Sequence, residues 1–231
     1  MPRLALLPLA LLSACQIAVG NGVSASETRE VPAFERVADT TSVDVAVEAG
    51  PEASVLVTCD ENLLPLVITD VQGDTLRIRT QDDMDLDPRV DCRVDVTVPA
   101  LLGLVASGSG DLSASGDLTG FEEATCTGSG DLVAEGIASD DVHLESTGSG
   151  DLTASGTTST LGVDSTGSGG VDARDLLAGC VSVLCTGSGD VQVSASTSLD
   201  ATLTGSGDVE VWGNPADCNV QTTGSGEVSY Q

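Results

Sequence analysis

The triplet Gly-Ser-Gly recurs at a nearly constant interval through the C-terminal half of the chain, and no other feature restricts the fold as strongly. The triplets begin at Gly108, Gly128, Gly148, Gly167, Gly187, Gly205 and Gly224. A constant period of about twenty residues is typical of a solenoid, in which each repeat buries its apolar face against its neighbours. Residues 104–231 are therefore predicted to form stacked coils of about 19–20 residues each.

Apolar and polar residues alternate on both sides of every triplet. The position four residues after the first glycine is always Leu or Val, namely Leu112, Leu132, Leu152, Val171, Val191, Val209 and Val228. The position just before the triplet is Ser or Thr in every repeat. Alternation with period two predicts strand, turn and strand, and hence an all-β, single-stranded parallel β-helix. We expect the corner glycines to adopt positive φ and the serine between them to bond to backbone or to its stacked neighbour.

The preceding residues, 29–103, contain alternating strands without the Gly-Ser-Gly period. The segments "TSVDVAVEAG", "ASVLVTCD", "PLVITDVQGDTLRIRT" and "RVDCRVDVTVPA" are predicted strands, with a turn at Gln72-Gly73-Asp74. The segment "DENLLPL" is expected to form one helical turn. This region is predicted to form irregular first coils that cap one end of the core.

The charge balance excludes some partners. The chain has 36 acidic residues against eight Arg, no Lys, and a formal net charge of −28. Nucleic acid is excluded as a partner, because phosphate neutralisation needs clustered cations. The same charge argues against peripheral attraction to anionic lipid, so membrane contact is expected only through an N-terminal lipid.

The N-terminus has the pattern of an export signal. One basic residue and an apolar run precede Leu12-Ser13-Ala14-Cys15, which has the pattern of a bacterial lipobox. Residues 1–15 are therefore predicted to be a lipoprotein signal with Cys15 lipidated, and residues 16–28 a tether. The alternative is ordinary secretion with cleavage after Ala25. The expected location is the cell envelope, at the outer membrane or in the periplasm.

Six cysteines follow Cys15, and an even number in an exported protein permits disulfides. Cys59 and Cys92 both lie in predicted N-terminal strands and are the candidate pair. Cys126 and Cys185 are expected to point inward as small apolar residues. They lie three coils apart, roughly 14 Å, which excludes a disulfide between them.

An acidic residue follows most triplets and forms a column: Asp111, Asp131, Asp151, Asp190, Asp208 and Glu227, with Gly170 in place of the fourth. A cation midway between two stacked carboxylates would lie about 2.4 Å from each, within the range of calcium. The alternative is that each carboxylate caps its own turn and is otherwise solvated. Calcium usually needs six to eight oxygens, so the sequence offers only a weak case for a calcium ladder, and no other cofactor is predicted.

No catalytic constellation is evident in the sequence. His143 is the single histidine and is expected at the surface, paired with Glu123. Arg174 is the single base after Arg93 and is expected to pair with Asp172 or Asp175. Trp212 is expected to pack at a corner, with sugar stacking as the alternative.

The N-terminal segments, "ENLL", "VTVPALLGLVASGSGDL" and the serial GSGD corners together resemble the putative autotransporter adhesin head GIN domain family. The resemblance covers residues 29–231. It implies a right-handed parallel β-helix akin to the pectin-lyase-like architecture. It also implies a role in cell adhesion, with no catalytic residues to carry over.

These observations predict a non-enzymatic binding or scaffold module of the cell envelope, with a surface protein or a glycan as partner. One alternative is a polysaccharide-active lyase or hydrolase, which rests on architecture alone. The other is a structural envelope protein that assembles with itself as a homo-oligomer.

Overall fold

The computed structural model describes residues 17–231, so the predicted signal, Cys15 and Gln16 lie outside the described residues. Residues 17–231 are all-β, with 61% of these residues in strands. Two short 3-10 turns span Leu64–Leu66 and Gln81–Asp83. The strands of this part are β1 (Ile17–Val19), β2 (Ser24–Thr28), β3 (Arg36–Asp39), β4 (Asp44–Ala49), β5 (Ser54–Asp60), β6 (Val67–Gln72), β7 (Thr75–Thr80), β8 (Asp85–Asp87), β9 (Arg93–Val98), β10 (Gly103–Ala106), β11 (Leu112–Ser115), β12 (Leu118–Thr119), β13 (Glu123–Cys126), β14 (Leu132–Ser146), β15 (Leu152–Ser165), β16 (Val171–Cys185), β17 (Val191–Leu203), β18 (Val209–Trp212), β19 (Asp217–Thr222) and β20 (Val228–Tyr230).

The repeats form a solenoid of about six turns, which confirms the predicted parallel β-helix. Each coil pairs in parallel with the next, and equivalent residues lie opposite one another. Leu112 lies opposite Leu132, Leu132 opposite Leu152, and Leu152 opposite Val171. One-residue differences in coil length are absorbed by register shifts, such as the one between Glu135 and Ile137. The Leu and Val column is fully buried through Val209, because its side chains stack along the solenoid axis.

The corner glycines are needed for a different reason from the one expected. Most of them do not have positive φ; in the triplets this conformation occurs only at Gly224. Successive corners instead lie so close that a side chain would strike the neighbouring backbone. A Cβ on Gly128 would lie 2.0 Å from the carbonyl oxygen of Gly108, and one on Gly150 would lie 2.0 Å from that of Gly130. Positive φ occurs at the second corner of the coil, for example at Gly136.

The first coil, β3 and β4, lies between two later segments of the chain. On one side it pairs in parallel with β10 and β11, and on the other with β7 and β9. Strands β6, β5 and β2 extend this end by antiparallel pairing. The order of the coils in space therefore differs from their order along the chain. The predicted cap and the predicted turn at Gln72-Gly73-Asp74 are present. Leu64–Leu66 forms the helical turn expected in "DENLLPL".

Two long-range connections join this N-terminal region. A disulfide links Cys59 to Cys92, which are 33 residues apart in sequence. The guanidinium of Arg36 bonds to Glu122 and Glu123 and lies 3.4 Å from a carboxylate oxygen of Asp74. The two connections hold together segments that have no repeat relation to one another.

Strands β1 and β2 lie within residues 17–28, which corrects the prediction of a tether for the described part of residues 16–28. Strand β1 pairs in parallel with β8, and β2 pairs in antiparallel with β5. The backbone groups of this segment are bonded to the domain, so it cannot act as a free linker. No helix in residues 17–231 has the length and apolar character needed to span a membrane.

Candidate functional site: a hydroxyl-lined groove with an acidic edge

A groove runs along the Gly-Ser-Gly corners of the solenoid. Its volume is about 760 Å³. At each corner the Ser or Thr before the triplet and the Ser within it are exposed, with glycine between them. The groove follows six successive corners, which correspond to about 24 Å at the usual strand spacing. It is lined by residues 107–109, 127–129, 147–149, 166–168, 186–188 and 205–206.

The backbone of each corner is bonded to the adjacent coil, which leaves the side-chain hydroxyls facing solvent. The N–H of Ser129 donates to the carbonyl of Gly108 at 3.0 Å, and that of Ser149 donates to the carbonyl of Gly128 at 3.0 Å. One stacked hydroxyl contact occurs at the position before the triplet, where the hydroxyl of Thr127 donates to that of Ser107 at 3.0 Å. The stacking expected from sequence concerned the serine between the glycines instead. The groove is therefore a rigid array of donors and acceptors repeated once per coil.

The acidic column follows the Gly-Ser-Gly corners along the chain and has a structural role. The carboxylate of Asp111 accepts the backbone N–H of Asp131 at 2.9 Å, and that of Asp131 accepts the N–H of Asp151 at 2.9 Å. The same bond joins Asp151 to Gly170, Asp190 to Asp208, and Asp208 to Glu227. Each of the five aspartates thus caps the next coil, which corrects the alternative that it caps its own turn.

Sequence reasoning missed the first member of this ladder. The carboxylate of Asp44 accepts the N–H of Asp111 at 3.1 Å, so the ladder begins in the first coil. The signal was present in "TTSVDV", which has the acid and the following apolar residue of "GSGDL" but lacks its glycines. Gly170 interrupts the ladder, because it has no carboxylate to offer to the N–H of Asp190.

The ladder bears on the predicted calcium sites. One oxygen of each bonded carboxylate is committed to a backbone N–H, which reduces the oxygens left for a cation. Within residues 17–231 no group of three or more His, Cys, Asp or Glu side chains is arranged to hold a metal ion. Calcium binding by Asp111, Asp131, Asp151, Asp190, Asp208 and Glu227 stays a prediction.

A buried carboxylate lies beneath the first corner. Asp39 is fully buried, and its Oδ1 accepts the N–H of Thr41 at 3.1 Å and the hydroxyl of Thr41 at 2.8 Å. Its Oδ2 has no hydrogen-bond partner among the described residues. Burial raises the pKa of Asp39 from 3.8 to about 6, against the opposing effect of the bonds from Thr41. Asp39 continues the inward column of Ala106 and Cys126, a placement that sequence reasoning also missed.

The cysteines of the solenoid differ in exposure. Cys126 and Cys185 are fully buried, and burial raises the pKa of both thiols above the usual value. They occupy the inward column in which Ser146 and Ser165 also lie. The hydroxyls of these two serines have no hydrogen-bond partner in the described part of the chain. Cys180 and Cys218 carry exposed thiols.

Arg174, Asp172 and Trp212 form one cluster on the outside of the solenoid. The guanidinium of Arg174 donates to both carboxylate oxygens of Asp172, at 2.8 and 2.6 Å, and this bond lowers the pKa of Asp172. The same guanidinium lies 5.4 Å from the ring centroid of Trp212. The expected ion pair is thus with Asp172, and the contact with Trp212 was not foreseen because the two residues lie in different coils.

His143 is at the surface, but its partner is not the one expected. Its Nε2 lies 3.6 Å from a carboxylate oxygen of Asp164, whereas Glu123, its neighbour in the strand register, bonds to Arg36. His143 and Arg174 therefore each contact a nearby carboxylate on separate coils. The structure does not bring them together as an acid and a base at one cleft.

The family model described as "Putative auto-transporter adhesin, head GIN domain" matches residues 33–215. The chain belongs to this family. The match covers the first coil, the N-terminal cap without β1 and β2, and all but the last of the Gly-Ser-Gly corners. No curated protein sequence matches the chain.

Solved structures have the same fold as this GIN-domain chain. A crystal structure of a putative adhesin from Bacteroides fragilis has a TM-score of 0.87 at 21% identity, covering 93% of this chain and 100% of that one. A putative lipid binding protein from Parabacteroides distasonis has a TM-score of 0.73 at 24% identity, with 94% and 100% covered. A putative adhesin from Parabacteroides merdae has a TM-score of 0.72 at 21% identity, with 94% and 99% covered. At these identities the likeness shows the fold alone.

Proposed function

We propose that this protein is an exported, lipid-anchored adhesive module that binds a linear glycan along the hydroxyl-lined groove. The observation that carries the proposal is the continuity of the groove, which presents a pair of hydroxyls at five successive corners and the hydroxyl of Ser206 at a sixth. A linear polymer can form equivalent hydrogen bonds at each coil, so many weak contacts add along its length.

The repeated chemistry of the groove supports binding rather than catalysis. A catalytic site needs different groups converging on one reacting atom, whereas the groove repeats two hydroxyls and one carboxylate. The histidine and the single arginine of residues 104–231 lie outside the lining of the groove. Membership in a family of adhesin heads is consistent with this reading.

The acidic edge limits the class of glycan. Asp111, Asp131 and Asp151 lie one residue beyond the groove corners and are exposed. Their charge would repel polyanionic chains and favour neutral or amino-bearing sugars. Hydroxyl groups on both partners would then supply the directional contacts.

The lipid anchor at Cys15 is supported by the way the chain continues after it. Cleavage after Ala25 would remove β1 and divide β2, whereas cleavage before Cys15 leaves both strands intact. We therefore place the mature N-terminus at Cys15 and the protein in the cell envelope. Mass spectrometry of the exported protein should show a lipid-modified Cys15 as the first residue.

A glycan array probed with residues 16–231 tests the binding proposal. Three groove hydroxyls are removed in the variant Thr127→Val, Thr147→Val and Thr166→Val, which keeps side-chain volume. The control carries Thr125→Val, Thr153→Val and Thr202→Val, which are outward positions on other faces. We expect the first variant to lose about tenfold in glycan affinity and the control to stay within about twofold.

Three results would overturn the proposal. Equal glycan affinity of the two variants would show that the groove does not bind the glycan. New reducing ends in the glycan would identify a polysaccharide-active enzyme instead. Binding to a surface protein without any glycan binding would favour a protein partner. A mass above that of the monomer in light scattering, without ligand, would favour self-assembly.

A further inference from the structure

The predicted lipid attachment point lies next to an ordered part of the domain. Cys15 precedes β1 by one residue, Gln16, so its backbone can be at most about 7 Å from Ile17. A flexible tether would allow the domain to move away from the membrane and rotate freely. The short connection prevents both motions if the segment that follows it is held firmly to the domain.

Asp60 and Asn62 hold that segment. The buried carboxylate of Asp60 accepts the backbone N–H groups of Gly22, Arg89 and Val90. Burial acts to raise the pKa of Asp60, but the N–H donors outweigh it and leave the pKa below the usual 3.8. Asn62 accepts the N–H of Asn21 at 2.8 Å and donates to the carbonyl of Val19 at 2.9 Å.

Gly20 shows how tightly the segment is packed. A Cβ at this position would lie 2.4 Å from the carboxylate of Asp60. The backbone N–H of Gly20 donates to the carbonyl of Asp87 at 2.9 Å, and the carbonyl of Val23 accepts from Glu61 at 2.8 Å. The first twelve described residues are therefore part of the rigid cap of the solenoid.

Large apolar side chains are exposed on the same segment. Ile17 is 63% exposed, Val19 46% and Val23 52%. Three such side chains lie within seven residues, beginning two residues after Cys15, and each exposes apolar surface to water. A bilayer that already holds the lipid of Cys15 is the apolar phase nearest to these side chains.

We propose that the N-terminal cap lies against the membrane, with Ile17, Val19 and Val23 in contact with the boundary between headgroups and acyl chains. The proposal rests on the lipid anchor in the proposed function. It adds a second membrane contact to the one expected from the sequence, which was the N-terminal lipid alone. It directs the solenoid axis, and with it the groove, away from the bilayer.

Charge does not decide the orientation. Residues 17–103 carry 17 acidic residues with six arginines, and residues 104–231 carry 19 acidic residues with one arginine. Both parts are net negative at a similar density, so an anionic bilayer repels both. The orientation rests on the exposed apolar side chains and on the short connection to Cys15.

Fluorescence quenching in vesicles tests the proposal with the full lipidated chain. The native Trp212 is replaced in Trp212→Phe, and a single reporter is introduced as Val23→Trp. The matched control is Leu177→Trp in the same background, because Leu177 is 59% exposed but lies in the repeats. Both proteins are reconstituted in phosphatidylethanolamine and phosphatidylglycerol vesicles whose acyl chains carry bromine.

We expect the reporter at residue 23 to lose most of its emission and to shift to the blue, while the reporter at residue 177 is unchanged. The control for anchoring is that the protein floats with the vesicles and that its mass includes the lipid. If both reporters then have equal emission, the proposed orientation is wrong but the lipid anchor is unaffected. Absence of lipid on the exported chain would overturn both the anchor and this proposal. Circular dichroism of each variant verifies the fold, and Val19→Trp is the substitute if Val23→Trp fails to fold.

Discussion

The two halves of the molecule are stabilised by different kinds of contact. In residues 104–231 nearly every contact joins a residue to its equivalent one coil away, as in the Leu column and the Asp ladder. In residues 17–103 the important contacts join unlike residues far apart in sequence, such as Cys59 with Cys92 and Gly22 with Asp60. A repeat region can therefore tolerate a change in one coil only if the neighbouring coils still fit, whereas the cap depends on individual long-range bonds.

This difference has a functional counterpart. The repeated half provides an extended surface on which equivalent hydroxyls recur at successive corners. The cap provides individual residues, including Arg36 and Asp60, that fix the position of one segment relative to another. The proposed glycan-binding groove lies in the repeats, and the proposed membrane contact lies in the cap.

The largest expected effect is from a side chain inserted between two coils. We expect Gly150→Ala to lower the free energy of unfolding by about 4 kcal/mol or more, because its Cβ would lie 2.0 Å from the carbonyl oxygen of Gly130. Urea unfolding followed by circular dichroism measures the change. Gly170→Ala is the control, since its Cβ would meet nothing nearer than 3.3 Å. A loss below about 1 kcal/mol for Gly150→Ala would show that the coils can separate and that close stacking is not the reason for glycine.

Removal of the disulfide is expected to affect the cap first. The double variant Cys59→Ser and Cys92→Ser should lose about 3 kcal/mol, because the bond closes a loop between residues 33 apart. Hydrogen exchange should rise mainly in residues 17–103 and much less in β15 and β16. The control is Cys180→Ser with Cys218→Ser, which removes two exposed thiols. Uniform loss of protection in both halves would contradict the division between them.

Asp39 should make stability depend on pH at the junction of the two halves. Because its folded pKa is about 6 and its reference value is 3.8, the folded chain binds more protons between these pH values. Its contribution to stability therefore falls as pH rises through this window and is lowest above about 6. Asp39→Asn should be more stable than the parent by about 2 kcal/mol at neutral pH and by little near pH 4. A constant difference across the window, measured by urea unfolding at several pH values, would contradict the assignment.

The smallest expected effect is from completing the Asp ladder. Gly170→Asn should supply the missing acceptor for the N–H of Asp190 and stabilise the protein by about 1 kcal/mol relative to Gly170→Ala. Gly170→Asp should gain less at low salt, because the new carboxylate lies between Asp151 and Asp190, and should approach Asn at high salt. Thermal unfolding at two salt concentrations measures the difference. If Asn and Ala are equally stable, the capping bond makes no net contribution.

Much of the repeat region could be predicted from sequence because its contacts are periodic. The column from Leu112 to Val228 and the inward position of Cys126 follow directly from alternation and spacing. The reason for the glycines could not be predicted from the sequence. Close approach of two backbones and a need for positive φ both select glycine, so the two requirements look the same. The role of the Asp ladder was also missed, because a bond to the next coil and a bond within the turn require the same residue at the same position.

The N-terminal region was predicted as strands but not as a topology. Residues 17–28 have no period and few strong strand formers, so composition favoured a tether. Their pairing with β8 and β5 depends on segments about 30 to 70 residues away. The contact between Arg174 and Trp212 is similar, since the irregular outer faces of different coils decide it.

The sequence alone determined the solenoid, its coil length, its inward columns and the pairing of Ser or Thr with Gly-Ser-Gly at each corner. These features follow from interactions between equivalent residues one period apart, so the sequence of each repeat contains the residues that determine its contacts. Only the tertiary structure decided that the first coil lies between later strands, that Asp39 is buried, and that the chain after Cys15 is fixed to the cap. Those features depend on unlike residues meeting across long sequence separations, where burial and hydrogen bonding of the whole fold determine which pairs form.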